Sequence, residues 1–239
     1  SVSRRAEFVR DGRQGRRRRS VGVSTARISR WARRFLLVSA GWFVLSQAGV
    51  LAGVPRRVEL YLGLYGFVLT TVFGKAYSLL PSYFDRALAW PSAPAVQLPL
   101  TTGGVAALAV GAWGGPPWLT PVGALAWAGG VAVFLGTMAV TLGDNPTGAE
   151  TGTGDANADR SRLDRLANAF VPLSLVYLAV GTAELLAGAL GFQSAFGGVA
   201  VRTSHLLAAG VAFVLLLSVG YRLLPRFLVV RPPTWAAAL

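Results

Sequence analysis

An all-α, polytopic membrane bundle of six helices, with both chain ends on the cytoplasmic side, is the fold class this sequence predicts. Three observations predict it. Of 239 residues, 53% are hydrophobic and only 14% charged, with a mean hydropathy of +0.52; soluble domains carry roughly a quarter charged residues. The apolar residues come in blocks near the roughly 20 residues that a helix needs to cross a hydrocarbon core of about 30 Å. The basic residues lie almost entirely to one side of those blocks.

The blocks are 35–54, 60–80, 98–113, 119–142, 168–190 and 201–224, the third being short and Gly-rich. None alternates with period two, so a membrane barrel is excluded and helices satisfy the backbone within each span. Ahead of them, residues 1–34 form a basic head expected to be disordered, with 12 of the 23 Lys+Arg, including "GRRRRS" at 15–20. The transmembrane domain covers 35–230 and includes a polar cytoplasmic loop, 143–167; residues 231–239 form a short tail. The chain begins with Ser and its first Met is Met138, so Val21 and Val23 are candidate native starts.

With the head inside, 20 basic residues fall on the cytoplasmic side, and only Arg56, Arg57 and Arg202 fall outside. That bias fixes an N-in, C-in orientation, and the head is an orienting flank that lies against anionic lipid. A nucleic-acid arm is disfavoured, because only Phe8 and Trp31 are there to stack on bases. A secretory signal fits poorly, since block 35–54 is longer than a signal core and lacks a cleavage site.

Cysteine is absent, which removes disulfides, thiolate nucleophiles and iron–sulfur ligation. The single histidine is His205 and the single methionine Met138, and no phosphate-binding loop or nucleophile elbow occurs. No catalytic residue is therefore assigned. Arginine replaces lysine everywhere but at Lys75, in keeping with a prokaryotic source and an inner-membrane location.

The second and sixth blocks resemble each other at an offset of 144. Tyr61 meets His205, Leu62 meets Leu206, Gly66 meets Gly210, and "YSLLP" at 77–81 meets "YRLLP" at 221–225. A shared stop signal at the inner interface explains the endings. A duplication, helices 1–2 corresponding to helices 5–6, explains them equally, and parallel repeats place ligand sites between equivalent helices. Gly66 and Gly210 would let another helix or a flat ligand approach the backbone closely.

The His-x4-Gly pattern at 205–210, followed by the Tyr-x-Leu-Leu-Pro ending, resembles the haem-bearing helices of the haem-copper oxidase catalytic subunit and its relative, the nitric oxide reductase large subunit. The resemblance covers about 24 residues in each of two helices. It implies a b-type haem ligated by His205, with Tyr61 at the matching position and Gly66 and Gly210 beside it, and a respiratory or nitrogen-oxide role. The chain departs from that family in having one histidine. Bis-histidine ligation within the chain and a three-histidine copper site are excluded, leaving five-coordinate haem, ligation by Tyr61, sharing between protomers, or a relative that kept the scaffold and lost the cofactor.

Glu184 is the one acidic residue well inside a block, where a charge costs roughly 2.5–3.5 kcal/mol on insertion scales, so it must face protein or water. With Gln47, Arg202, His205 and Tyr61 it would form a polar cluster in the outer half, read either as a proton-linked or propionate site or as one structural Glu184–Arg202 ion pair. Three functional readings follow: a haem-binding membrane protein, a cofactor-free scaffold or accessory subunit that meets other membrane subunits or its own copies, and a small-solute transporter. The last is least favoured, because no interrupted helix is visible in the sequence.

Overall fold

The computed structural model describes the backbone of residues 2–145, 161–193 and 200–227, and the side chains of 27–145, 167–193 and 203–220. Helix α1 is Val2–Ala52. Its backbone is helical through the basic head, where the sequence predicts disorder; arginine is a good helix former and no proline occurs before Pro55. The helix stops at Gly53, which takes a left-handed φ of +67°, while the Val54 N–H returns to the Gly49 carbonyl at 3.1 Å.

Helix α2 covers 56–83 without a break but not with one pitch: Arg56–Leu60 is α-helical, Tyr61–Leu69 π-helical and Thr70–Tyr83 α-helical again. Helix α3 is Ala93–Ala112 and α4 is Leu119–Leu142. The third span thus begins five residues before the predicted 98, because Pro94 is accommodated in the first turn, where its missing N–H has no intrahelical partner to lose. Helix α5 is Ser161–Ala189, and α6 covers 200–227 as Ala200–His205, a π segment Leu206–Phe213 and Val214–Phe227.

The described residues are all helical or in short turns. Five stretches are long and apolar enough to cross a bilayer: Arg27–Ala52, Ala93–Ala112, Leu119–Leu142, Ala167–Ala189 and Thr203–Gly220. The chain is a multi-pass membrane protein. Along α1 the residues Leu37, Val44 and Leu51, seven apart, are 73%, 64% and 89% exposed, forming a face for lipid.

Consecutive helices pack as three hairpins, α1–α2, α3–α4 and α5–α6, with α2 lying on α3 and α4, and α4 on α5. The α3–α4 seam is the tightest. A Cβ on Gly104 would sit 2.7 Å from the Trp127 nitrogen, and one on Gly123 2.8 Å from that of Leu108, so only glycine allows the two backbones to meet.

Aromatic rings fill the centre in an unbroken series. Tyr61 and Tyr65 are 5.4 Å apart by ring centroid, Tyr65 and Trp127 5.0 Å, Trp127 and Phe73 5.9 Å, Phe73 and Phe134 4.9 Å, Phe134 and Tyr77 5.3 Å, and Tyr77 and Phe35 6.0 Å. Tilted and edge-on pairs at these separations are the favoured ring geometries. From Tyr61 to Tyr77 the series follows 16 residues of α2, about 24 Å at helical rise.

Candidate functional site

The site is built from one face of α2. Arg57, Tyr61, Tyr65, Leu69, Phe73 and Tyr77 recur every fourth residue. A spacing of four overshoots the α-helical turn of about 3.6 residues and undershoots the wider π turn. With π geometry over Tyr61–Leu69 and α geometry on either side, the two drifts oppose each other, and the row stays on one face. That face meets α3 and α4, which bury Tyr65, Leu69, Phe73 and Tyr77 to 1% exposure or less.

At the end of the bundle where α2, α4 and α6 begin, the row opens into a cavity of ≈ 230 Å³. Arg57, Tyr61 and Tyr65 from α2, Thr120 from α4, Glu184 from α5 and Thr203 from α6 line it. Leu60, Leu185 and Ala189 add apolar wall, and Gly188, with no atom within 4 Å of a built Cβ, leaves one side clear. Tyr65 forms the floor, and the ring series beneath it fills the bundle centre.

Charge within the cavity is mixed. Neighbouring Arg56 is paired with Glu59, Nη1 to Oε2 at 2.7 Å, whereas Arg57 forms no ion pair among the described residues. Glu184 supplies the opposite charge from α5.

Of the residues singled out from sequence, Tyr61 and Glu184 are brought together here. His205 is exposed and does not line the cavity, and Gln47 is exposed on α1, which contributes no wall. The Arg202 side chain, and with it the Glu184–Arg202 pair, lies outside the described residues, as do the side chains of the "YRLLP" ending at 221–225 and most of the polar loop. Sequence reasoning missed Arg57 and Tyr65 as site residues, although their fourfold spacing from Tyr61 was there to be read.

Gly66 and Gly210 are both used for close approach, each by an aromatic ring of the preceding helix. A Cβ on Gly66 would stand 2.7 Å from Trp42 Cγ, and one on Gly210 would collide with the Tyr177 ring. These rings occupy the ground that a flat macrocycle would need beside either glycine. Haem therefore has no cradle at those two positions, His205 does not line the cavity that Tyr61 lines, and no group of three or more metal-binding side chains occurs among the described residues.

The two glycine contacts reveal a second register. Trp42 and Tyr177 are 135 residues apart, and at that offset α1 and α5 share Arg27/Arg162, Arg30/Arg165, Ala32/Ala167, Phe35/Phe170, Ser39/Ser174, Ala48/Ala183, Leu51/Leu186, Ala52/Ala187 and Gly53/Gly188, nine of the 28 positions 27–54. Packing follows the same pairing. A Cβ on Gly74 would lie 3.3 Å from the Ala32 carbonyl, and at the matching place Ser218 Oγ donates to the Ala167 carbonyl at 2.5 Å. A Cβ on Gly63 would lie 3.2 Å from Ser46 Oγ, while Leu207 reaches to 2.7 Å from a Cβ built on Gly181. In this last pair the small and large partners have exchanged helices. The π segments also coincide, Tyr61–Leu69 against Leu206–Phe213 at an offset of 144, and they touch each other. No protein-family model, no curated protein and no solved structure matches the chain.

Proposed function

We propose that this is a six-span inner-membrane protein, N-in and C-in, made by duplication of a helical hairpin, and that it binds a small solute in a cavity facing outward between the two halves. The cavity carries the reading: it combines a guanidinium, a carboxylate, phenols and hydroxyls in one open cleft at the end that the charge bias puts outside. The duplication is supported by the two offsets, three matched contacts and the paired π segments. A π segment is a rare insertion that recurs at functional sites, and binding between equivalent helices is usual for parallel repeats.

The same observations weigh against the other readings. Beneath Tyr65 the packed ring series fills the bundle centre, which favours a binding site closed at its base over an open conduit. Haem binding, the family resemblance's implication, is left without a cradle at the two glycines; a Soret band from purified protein, lost in His205→Ala, would overturn this. The accessory-subunit reading has one favouring observation: on α6 the row of positions 205, 209, 213 and 217, matching the buried row of α2, is exposed. A partner helix pair would cover it.

Because the chain has no cysteine, single-cysteine labelling is clean. A membrane-impermeant maleimide added to intact cells is expected to label Gly188→Cys, on the cavity wall, and to spare Ser82→Cys, exposed at the other end of the bundle. The reverse pattern would overturn the orientation. Slow labelling of Gly188→Cys in the unfolded-free detergent protein would overturn the open cavity.

A further inference from the structure

We propose that the outward cleft binds a phosphate group, held by the Arg57 guanidinium and the phenols of Tyr61 and Tyr65; this rests on the cavity reading above. The polar side chains that line the cleft are mostly donors still without partners. The Arg57 guanidinium makes neither ion pair nor hydrogen bond among the described residues, while Glu59, two residues on, is taken by Arg56 at 2.7 Å. Thr120 of α4 and Thr203 of α6 add hydroxyls that are likewise unbonded among the described residues. Glu184 also borders the cleft, but it already interacts within the chain, so Arg57 is the charged group left to a ligand.

Tyr65 is what points to a ligand and not merely to a surface arginine. It is 1% exposed, and its ring is fixed between Tyr61 at 5.4 Å and Trp127 at 5.0 Å. It lines the cleft, yet its hydroxyl has no hydrogen-bond partner among the described residues. A buried hydroxyl without a partner is costly, and an acceptor placed in the cleft relieves that cost. Helix α4 adds to the bias. It begins at Leu119 with no side-chain cap, so its positive dipole end lies at the same cleft, with Thr120 in its first turn.

The acceptor required is anionic and rich in oxygens. A carboxylate has two oxygens, which a guanidinium fork alone engages; a phosphate group has more, leaving acceptors for the phenols and the threonines. At the outer end of the bundle such a group comes either from free phosphate or from the headgroup of an outer-leaflet phospholipid.

The test uses the full chain in maltoside micelles, which contain no phosphate, titrated calorimetrically with inorganic phosphate, acetate and methylammonium at neutral pH and fixed ionic strength. Phosphate is expected to bind, acetate about tenfold more weakly or worse, and methylammonium not at all. Arg57→Gln and Tyr65→Phe should each weaken phosphate by roughly tenfold to a hundredfold, the range for a lost hydrogen bond to a charged group. Tyr65→Phe deletes only an unbonded hydroxyl and so guards against a variant that does not fold. Arg56→Gln removes the same charge from the neighbouring, ion-paired residue and should leave the affinity within about twofold. A short-chain phosphatidic acid added to the micelles separates the two sources: competitive displacement of phosphate means that a lipid headgroup fits the cleft, and no displacement means that the ligand is free phosphate.

Acetate binding as tightly as phosphate would overturn the inference. So would an absence of phosphate binding, phosphate binding that either Arg57→Gln or Tyr65→Phe leaves unchanged, or a loss in Arg56→Gln equal to that in Arg57→Gln. Gly188→Cys labelling keeps such a failure apart from that of the cavity reading: rapid labelling leaves the open cleft standing, and slow labelling would sink both.

Discussion

On α2 the side chains at 65, 69 and 73 are closed over by α3 and α4, whereas 144 residues later on α6 the matching positions 209, 213 and 217 stand open, with Phe213 at 56% and Leu217 at 41% exposure against none for Leu69 and Phe73. Where each hairpin packs on itself, the two are alike: a glycine receives an aromatic ring, and a π segment sits at the same height. The difference teaches that the self-packing of a hairpin and its surroundings are set by separate residues. Contacts within the hairpin keep small residues at fixed places, while the outward row takes whatever its neighbour requires. Facing a helix pair it is Tyr, Tyr, Leu, Phe, Tyr; facing open space it is His, Ala, Phe, Leu over 205–217.

The largest expected effect breaks that row. Phe73→Ala removes a fully buried ring wedged between Trp127 and Phe134 and should cost about 2–3 kcal/mol. In a bilayer the transfer term is small, because lipid is as apolar as the core, so most of this is the void left behind. Leu217→Ala at the matching place leaves no void and should change stability by no more than about 0.5 kcal/mol. Reversible unfolding in mixed micelles measures both; equal losses would mean that α6 is as enclosed as α2.

Next come the glycines, where the hairpins are expected to behave alike. Gly66→Ala drives a methyl into Trp42, and Gly210→Ala drives one into Tyr177, so each should lose roughly 1–3 kcal/mol by overpacking. A loss at one and not the other would undo the equivalence. Trimming the ring offers a sharper check. Trp42→Ala should rescue Gly66→Ala and leave Gly210→Ala untouched, and Tyr177→Ala the converse, as a double-mutant cycle would read.

Much of this was legible in the sequence, and what was not has identifiable causes. Blocks of apolar residues near span length are read directly, because bilayer thickness sets them. The third span, read as the short, Gly-rich block 98–113, begins at Ala93, because a proline in the first turn costs a helix little. The α2–α6 likeness showed itself at 144 because the Leu-Leu-Pro ending fixes the register. The α1–α5 likeness did not, since its offset of 135 differs from 144 by nine residues and no motif marks it. Glu184 and Tyr61, grouped by depth, both line the cavity. Depth says nothing of azimuth, which is why Gln47 and His205, at similar heights, were grouped with them and yet face elsewhere. The buried amide of Gln97, with neither atom hydrogen-bonded, gave no signal at all beside the prolines that flank it.

The smallest effect separates serines that bond between helices from those that bond within one. Ser218 Oγ donates to the Ala167 carbonyl of α5, 51 residues away, and its loss in Ser218→Ala should cost about 0.6–1 kcal/mol, as inter-helix hydrogen bonds in membranes do. Ser174 is as well buried, but its hydroxyl turns back to the Phe170 carbonyl one turn earlier in α5, and its counterpart Ser39 to that of Leu36 in α1. Such a bond ties no second helix and competes with the backbone ladder. Ser39→Ala and Ser174→Ala should therefore be nearly neutral, and neutral in both halves. A cost at Ser218 with none at the other two would show that the seam of the second hairpin is held at a place where the first, with Gly74 opposite Ala32, relies on close contact alone.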